Sequence, residues 1–107
     1  MSTDEVELAV LTARFDPMPG AEEALMTVLA RYVVVTRRAP ECRNIDLLAS
    51  AAHPGRLLLV AKWESVEAAR AHLDSAAMAE MAEAAVPHLA ARPEVDLYDT
   101  ISAHDLM

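Results

Sequence analysis

The stretch from Leu57 to Met78 determines the fold of this chain, and it reads LLLVAKWESVEAARAHLDSAAM. Its opening residues, Leu57 to Trp63, are strongly apolar and predict a buried strand. Ser65 follows as a helix N-cap with Glu67 in the first turn, which predicts a short helix ending near Leu73. The other predicted elements lie before and after this strand and helix in the sequence.

The segment before this stretch predicts a strand followed by a helix. In Val6 to Phe15 both faces of the predicted strand are apolar or nearly so apart from Glu7, which is typical of a strand covered on both sides. After a turn rich in Pro and Gly, apolar residues recur at helical spacing from Ala21 onward. Arg37 and Arg38 are expected in the last helical turn, where they suit the helix dipole, and Pro40 ends the helix.

Three further elements complete the pattern. Cys42 to Ala49 predicts a second strand, and the turn at His53-Pro54-Gly55 joins it to the third strand as a hairpin. Ser75 caps another helix, with an apolar face that includes Val86 and ends at Pro87, and a fourth strand runs from Val95 to Ile101. The order β-α-β-β-α-β predicts an α+β fold of the ferredoxin-like, split β-α-β type with an antiparallel sheet.

Length and charge restrict the kinds of protein this chain can be. With 107 residues it forms one domain, residues 1–107 with a core of about 6–101. The net charge of −8 argues against nucleic-acid or anionic-membrane partners. Cys42 is the single cysteine, no signal peptide is evident, and the apolar runs are too short for a membrane helix. We expect a soluble, cytoplasmic protein.

The predicted sheet leaves one face without helices. That face would draw on the apolar residues of strands one and three, together with Ile45 or Leu48 and Leu97 or Tyr98. Burying several such side chains contributes about 1.5–3 kcal/mol each, so we expect a second copy of the chain to cover them. The sequence therefore predicts a homodimer that packs through its sheet faces and has no stable monomer.

Several short motifs carry a family resemblance. They are Trp63-Glu64-Ser65 at the end of a strand, Ala71-His72-Leu73 on a short helix, and Ala39-Pro40-Glu41-Cys42-Arg43 before strand two. These three segments resemble the antibiotic biosynthesis monooxygenase family. The resemblance implies a dimeric α+β barrel. It also implies a cofactor-independent monooxygenase that oxidises a small phenolic, quinol or enolic compound with O2, although the family holds other activities.

Family members with different activities carry different site residues, and this chain matches each group only in part. Members that oxidise aromatic polyketides share the strand-three Trp, found here as Trp63, but have Asn and Tyr where this chain has Leu59 and Ala69. Other members have a His at His72 and a second His where Ala77 stands. The residues that haem-degrading members use are also different. They fall at Thr12, His72 and Met81, so haem degradation is disfavoured and no cofactor is expected.

His72 and Trp63 are the predicted catalytic residues. An imidazole with an ordinary pKa near ~6.5 suits proton abstraction from a phenol or enol at neutral pH. The indole of Trp63 offers a stacking face and one N–H donor. The alternatives are a half-buried histidine bonded to a backbone carbonyl and a tryptophan that only anchors the core or the dimer interface.

An apolar substrate pocket is predicted between the sheet and the helices, although the same side chains could simply form the core. Its expected lining comprises Tyr32, Leu59, Ala69, Met78 and Met81.

Other kinds of site find little support. The remaining histidines lack metal-site spacing, so no metal is expected, and two glycines cannot build a phosphate-binding loop. The alternative function is a non-catalytic module that binds a small apolar metabolite. A polar cluster in the pocket besides His72 would favour the enzyme.

Overall fold

The computed structural model describes residues 8–101 and contains the elements expected for the predicted fold. Val6 and Glu7, with which the first predicted strand begins, lie outside the described residues, as does His104, one of the histidines that lack metal-site spacing. The elements are β1 (Ala9–Phe15), α1 (Glu22–Thr36), β2 (Cys42–Ala49), β3 (Leu57–Trp63), α2 (Val66–Leu73), α3 (Ala76–Ala85), a 3-10 turn (Val86–His88) and β4 (Glu94–Asp99).

The strands form one antiparallel sheet in the order β2-β3-β1-β4. The predicted β2–β3 hairpin is confirmed, with Cys42 opposite Trp63 and Leu47 opposite Leu59. A bulge interrupts the pairing between Cys42 and Asn44. Because β1 pairs with both β3 and β4, the chain has the predicted α+β, ferredoxin-like topology.

Two predicted helix ends were wrong. Arg37 and Arg38 follow α1 instead of occupying its last turn, because the backbone tightens there into bonds from Arg38 N–H to Val35 and from Ala39 N–H to Thr36. Arg37 Nη2 instead donates to the carbonyl of Ile45 at 3.2 Å. Likewise, α3 ends at Ala85, and Val86 is 63% exposed in the 3-10 turn.

The two faces of the sheet have different environments. In β1 and β3 every second residue is buried under the helices, and the residues between them are only half-buried. Ile45 and Leu97 lie on the helix-covered side, whereas Leu48 and Tyr98 lie on the other. We call this second side the open face. It consists of three apolar residues of β1 and β3, Leu48, Tyr98 and several polar groups, with the apolar three being Val10, Leu58 and Val60.

The open face is more polar than predicted from the sequence. Arg14 on β1 forms an ion pair with Glu94 on β4, and the Tyr98 hydroxyl donates to the Asp96 carboxylate at 2.9 Å. Lys62 also lies on this face, opposite Val10 in the register of β1 and β3. The open face therefore combines an apolar centre with polar groups along its strands.

Candidate functional site

Three aromatic side chains from different elements meet beneath the helices. Nε2 of His72 lies 2.5 Å from the phenolic oxygen of Tyr32, in a buried hydrogen bond. The other flank of the imidazole packs on the indole of Trp63, with ring centroids 4.5 Å apart and an interplanar angle of 33°. His72 is thus held between a hydrogen-bonding phenol and a flat apolar ring.

Local sequence explains why these side chains converge. Trp63 ends β3 on the side that faces the helices, and Ser65 begins α2 two residues later by accepting a hydrogen bond from Ala68 N–H at 3.0 Å. His72 lies one turn after the fully buried Ala69 and shares its face of α2. Tyr32 belongs to the buried face of α1.

Burial determines the charge state of the pair. Tyr32 is 5% exposed and His72 is 8% exposed. Burial raises the pKa of Tyr32 to about 12, so its phenol is protonated at neutral pH. Burial lowers the pKa of His72 below its ordinary value of 6.5, so its imidazole is neutral. The hydrogen bond therefore joins two uncharged groups.

Further polar atoms lie near this pair. Nε1 of Trp63 and Oγ1 of Thr36 are buried and have no hydrogen-bond partner within residues 8–101. Thr36 lies one turn after Tyr32 on the buried face of α1. Burial raises the pKa of the Cys42 thiol, which lies opposite Trp63 in the sheet. Unpaired buried donors and acceptors of this kind are uncommon and can serve a ligand.

Two cavities adjoin the aromatic residues. The larger, which we call the His72 cleft, has a volume of about 530 Å³ and is lined by Ala39, Glu41, Trp63, Glu67, Ala68, Ala71, His72 and Ser75. The smaller, which we call the α1–α3 groove, has a volume of about 160 Å³ and is lined by Val28, Arg31, Tyr32, Val35, Ala77, Glu80, Met81 and Ala84. The bond between Tyr32 and His72 connects a lining residue of one cavity with a lining residue of the other.

The predicted site residues lie in the two cavities and in the core. His72 and Trp63 line the His72 cleft, while Tyr32 and Met81 line the α1–α3 groove. Met78 is half-buried and packs on the core.

Leu59 and Ala69 are 3% and 0% exposed, belong to the core, and line neither cavity. Substrate binding stays a prediction for all five residues of the expected pocket lining, which are Tyr32, Leu59, Ala69, Met78 and Met81.

Several residues of the site were not predicted from the sequence. Thr36 follows Tyr32 by four positions, so its place on the same face of α1 could have been inferred from helical spacing. Cys42 could be identified only from the β2–β3 register, which sets it opposite Trp63. Glu41 and Glu67 line the cleft from a loop and from the start of α2. Glu41 belongs to a family motif and Glu67 to the first helical turn, but neither pattern indicates a cleft residue.

Two other kinds of site are absent between residues 8 and 101. No group of three or more His, Cys, Asp or Glu side chains there is arranged to hold a metal ion. No helix in the same range is long and apolar enough to cross a membrane.

Comparisons with known proteins give a consistent assignment. The family model described as antibiotic biosynthesis monooxygenase matches residues 9–84. Rv0793 from Mycobacterium tuberculosis is 26% identical, with a TM-score of 0.83 over 92% of this chain and 99% of that chain. SO0527 from Shewanella oneidensis is 25% identical, with a TM-score of 0.80 over 90% of this chain and 93% of that chain.

A third solved structure supports the fold alone. NE2512, a protein of unknown function from Nitrosomonas europaea, is 19% identical, with a TM-score of 0.83 over 95% of this chain and 97% of that chain. No curated protein matches the sequence. Because the family model covers more than half of the chain and agrees with the observed fold, this protein belongs to the antibiotic biosynthesis monooxygenase family.

Proposed function

We propose that this protein is a homodimeric, cofactor-independent monooxygenase that oxidises a small phenolic, quinol or enolic compound with O2 in the His72 cleft. The observation that carries the proposal is the state of His72, a neutral imidazole in a cleft, bonded to Tyr32 and stacked on Trp63. A neutral imidazole can take a proton, and its two neighbours fix its orientation.

The proton transfer follows from the bonding of the imidazole. In the tautomer that catalysis uses, Nε2–H of His72 donates to the phenolic oxygen of Tyr32, which leaves Nδ1 as the acceptor for a substrate hydroxyl. The phenolic oxygen of Tyr32 accepts this bond through a lone pair, and its raised pKa keeps its own hydroxyl protonated at neutral pH. His72 acts as the base, and Tyr32 positions it.

The oxidation itself uses electrons from the substrate. The substrate anion transfers one electron to O2, and the resulting radical pair combines to a peroxide. Loss of water from the peroxide leaves one oxygen atom in a quinone, so each O2 consumed gives one product and one H2O. Trp63 provides a stacking wall, and its unpaired N–H is available as a donor to a substrate oxygen.

A non-catalytic module that binds a small apolar metabolite is the second candidate. It is favoured by Leu59 and Ala69, which are apolar and buried where polyketide-oxidising relatives have polar residues. The His72 cleft, however, is lined by Glu41, Glu67 and Ser75 as well as His72. A cleft with this polar cluster supports the enzyme over a simple apolar binder.

The dimer in this proposal would form through the open face. Val10, Leu58 and Val60 are only half-buried in the subunit, and Leu48 and Tyr98 are 47% and 50% exposed. Packing two such faces together would remove this apolar surface from water. The polar groups along the same strands would then need partners, which favours one register between the two sheets.

The activity can be tested directly with purified protein in air, without added metal or flavin. Anthrone-type and quinol substrates should be oxidised with one O2 consumed per quinone formed. His72→Gln should lower kcat/KM by about 100-fold or more, as expected for loss of a general base. His53→Gln, in the exposed turn between β2 and β3, is the matched control and should retain full activity.

Two results would contradict the proposal. The first is a rate no higher than uncatalysed oxidation for all substrates of these classes. The second is a His72→Gln enzyme as active as the wild type. Binding of the same compounds without turnover would instead support the metabolite-binding module.

A further inference from the structure

We infer that the His72 cleft selects its ligand by charge, admitting neutral or amine-bearing phenols and disfavouring phenols that carry a free carboxylate. This inference rests on the proposed function and specifies its substrate class. Its basis is the position of Glu41 and Glu67, which line the cleft.

The two carboxylates approach the cleft from separate elements. Glu41 belongs to the loop that enters β2, and its backbone carbonyl accepts a hydrogen bond from Glu64 N–H at 3.0 Å. Glu67 lies in the first turn of α2. Both side chains are exposed, so the charges stand at the rim while Trp63 and His72 form the interior.

No lysine or arginine among residues 8–101 lines the His72 cleft. The ion pairs of Arg14 with Glu94 and of Arg56 with Asp16 do not involve Glu41 or Glu67. Arg38 and Arg70 are close in sequence, but neither lines the cleft. His72, the remaining titratable group of the lining, is neutral because burial lowers its pKa. The charge of the cleft lining is therefore negative, in a chain whose net charge is already −8.

Trp63 supplies an independent indication that a ligand occupies the cleft. It lines the cleft, it is only 1% exposed, and its Nε1–H has no acceptor among residues 8–101. A ligand oxygen can satisfy this donor. The interior therefore favours a phenol whose hydroxyl points inward, and the rim favours an outer end that is neutral or positive.

The rim also fits the chemistry of proton transfer. When His72 takes the substrate proton, an imidazolium and a phenolate form side by side. A substrate that enters uncharged avoids repulsion from the rim carboxylates. A substrate with its own carboxylate would bring a further negative charge to a cleft that has no basic lining residue.

The test compares three para-substituted phenols that differ in charge: tyramine, 4-ethylphenol and 4-hydroxyphenylacetate. Because Trp63 is the single tryptophan of the chain, its fluorescence reports binding in the cleft, and calorimetry gives an independent Kd. At low salt we expect tyramine to bind about threefold to tenfold more tightly than 4-hydroxyphenylacetate, a range set by exposed charges. High salt should reduce this ratio.

Charge-removing variants assign the effect to the rim. The double variant Glu41→Gln/Glu67→Gln should bring the ratio close to one and leave the Kd of 4-ethylphenol unchanged. Glu83→Gln is the matched control, because Glu83 is an exposed residue of α3 that lines neither cavity, and it should keep the wild-type ratio.

The possible failures are distinguishable. A ratio of one in the wild type, or a wild-type ratio in the double variant, overturns charge selection but leaves the proposed oxidation intact if quinol turnover persists. Failure of all three phenols to change Trp63 fluorescence and to release heat overturns charge selection, because the cleft then binds no such phenol. The proposed oxidation is decided separately by the turnover assay with anthrone-type and quinol substrates.

Discussion

Replacing Tyr32 with phenylalanine removes one oxygen atom from the interior and keeps the ring. That oxygen bonds Nε2 of His72 at 2.5 Å, and the two side chains are 5% and 8% exposed, so water cannot readily take its place. A buried polar group that loses its partner costs about 1–3 kcal/mol. Tyr32→Phe should therefore lower the free energy of unfolding by about this amount.

Urea unfolding followed by circular dichroism measures this change. Thr27→Val is a suitable control, because it deletes one hydroxyl from an exposed side chain of α1 that lies outside both cavities and the open face. There we expect a change of about 0.5 kcal/mol or less. Both variants are measured over a range of protein concentrations, which separates subunit stability from dimer dissociation. A Tyr32→Phe variant as stable as Thr27→Val would refute the buried bond as described.

Three further predictions follow from the same geometry. Burial lowers the pKa of His72, so the unfolded chain takes up a proton first as the pH falls below 6.5. The free energy of unfolding should therefore decrease as the pH falls, and His72→Gln should reduce this dependence in denaturant titrations. For the same reason, the acid limb of a kcat/KM profile should lie below pH 6.5. Val60→Glu at the centre of the open face should prevent dimer formation, whereas sedimentation of the wild type as a folded 11.6 kDa monomer at micromolar concentration would contradict the dimer.

Much of the fold could be predicted because strong patterns have clear boundaries. The bounds of β2 and β3 match those predicted, since Pro40 precedes β2, the His53-Pro54-Gly55 turn separates the two strands, and the Ser65 N-cap follows β3. The end of α1 could not be predicted in the same way. Its last carbonyls are used by a tightened turn, and Arg37 reaches Ile45 on another element, an interaction that sequence periodicity does not contain.

The candidate site was predictable to a smaller extent. Family motifs indicated His72 and Trp63, and both line the cleft. The bond between Tyr32 and His72 joins residues 40 positions apart, and it depends on how α1 and α2 pack over the sheet. Likewise, the open face proved partly polar because the β1–β4 register brings Arg14 beside Glu94, which no single-strand pattern shows.

The order of the strands leaves β2 and β4 as the two margins of the sheet, and unpaired strand margins can template the growth of fibrils. The bulge between Cys42 and Asn44 distorts one margin, which hinders a straight foreign strand from aligning with it. The other margin, β4, carries Asp96 and Asp99, whose charges would repel the same strand of another molecule. Acid removes only the second protection, so fibril growth at low pH should begin along β4.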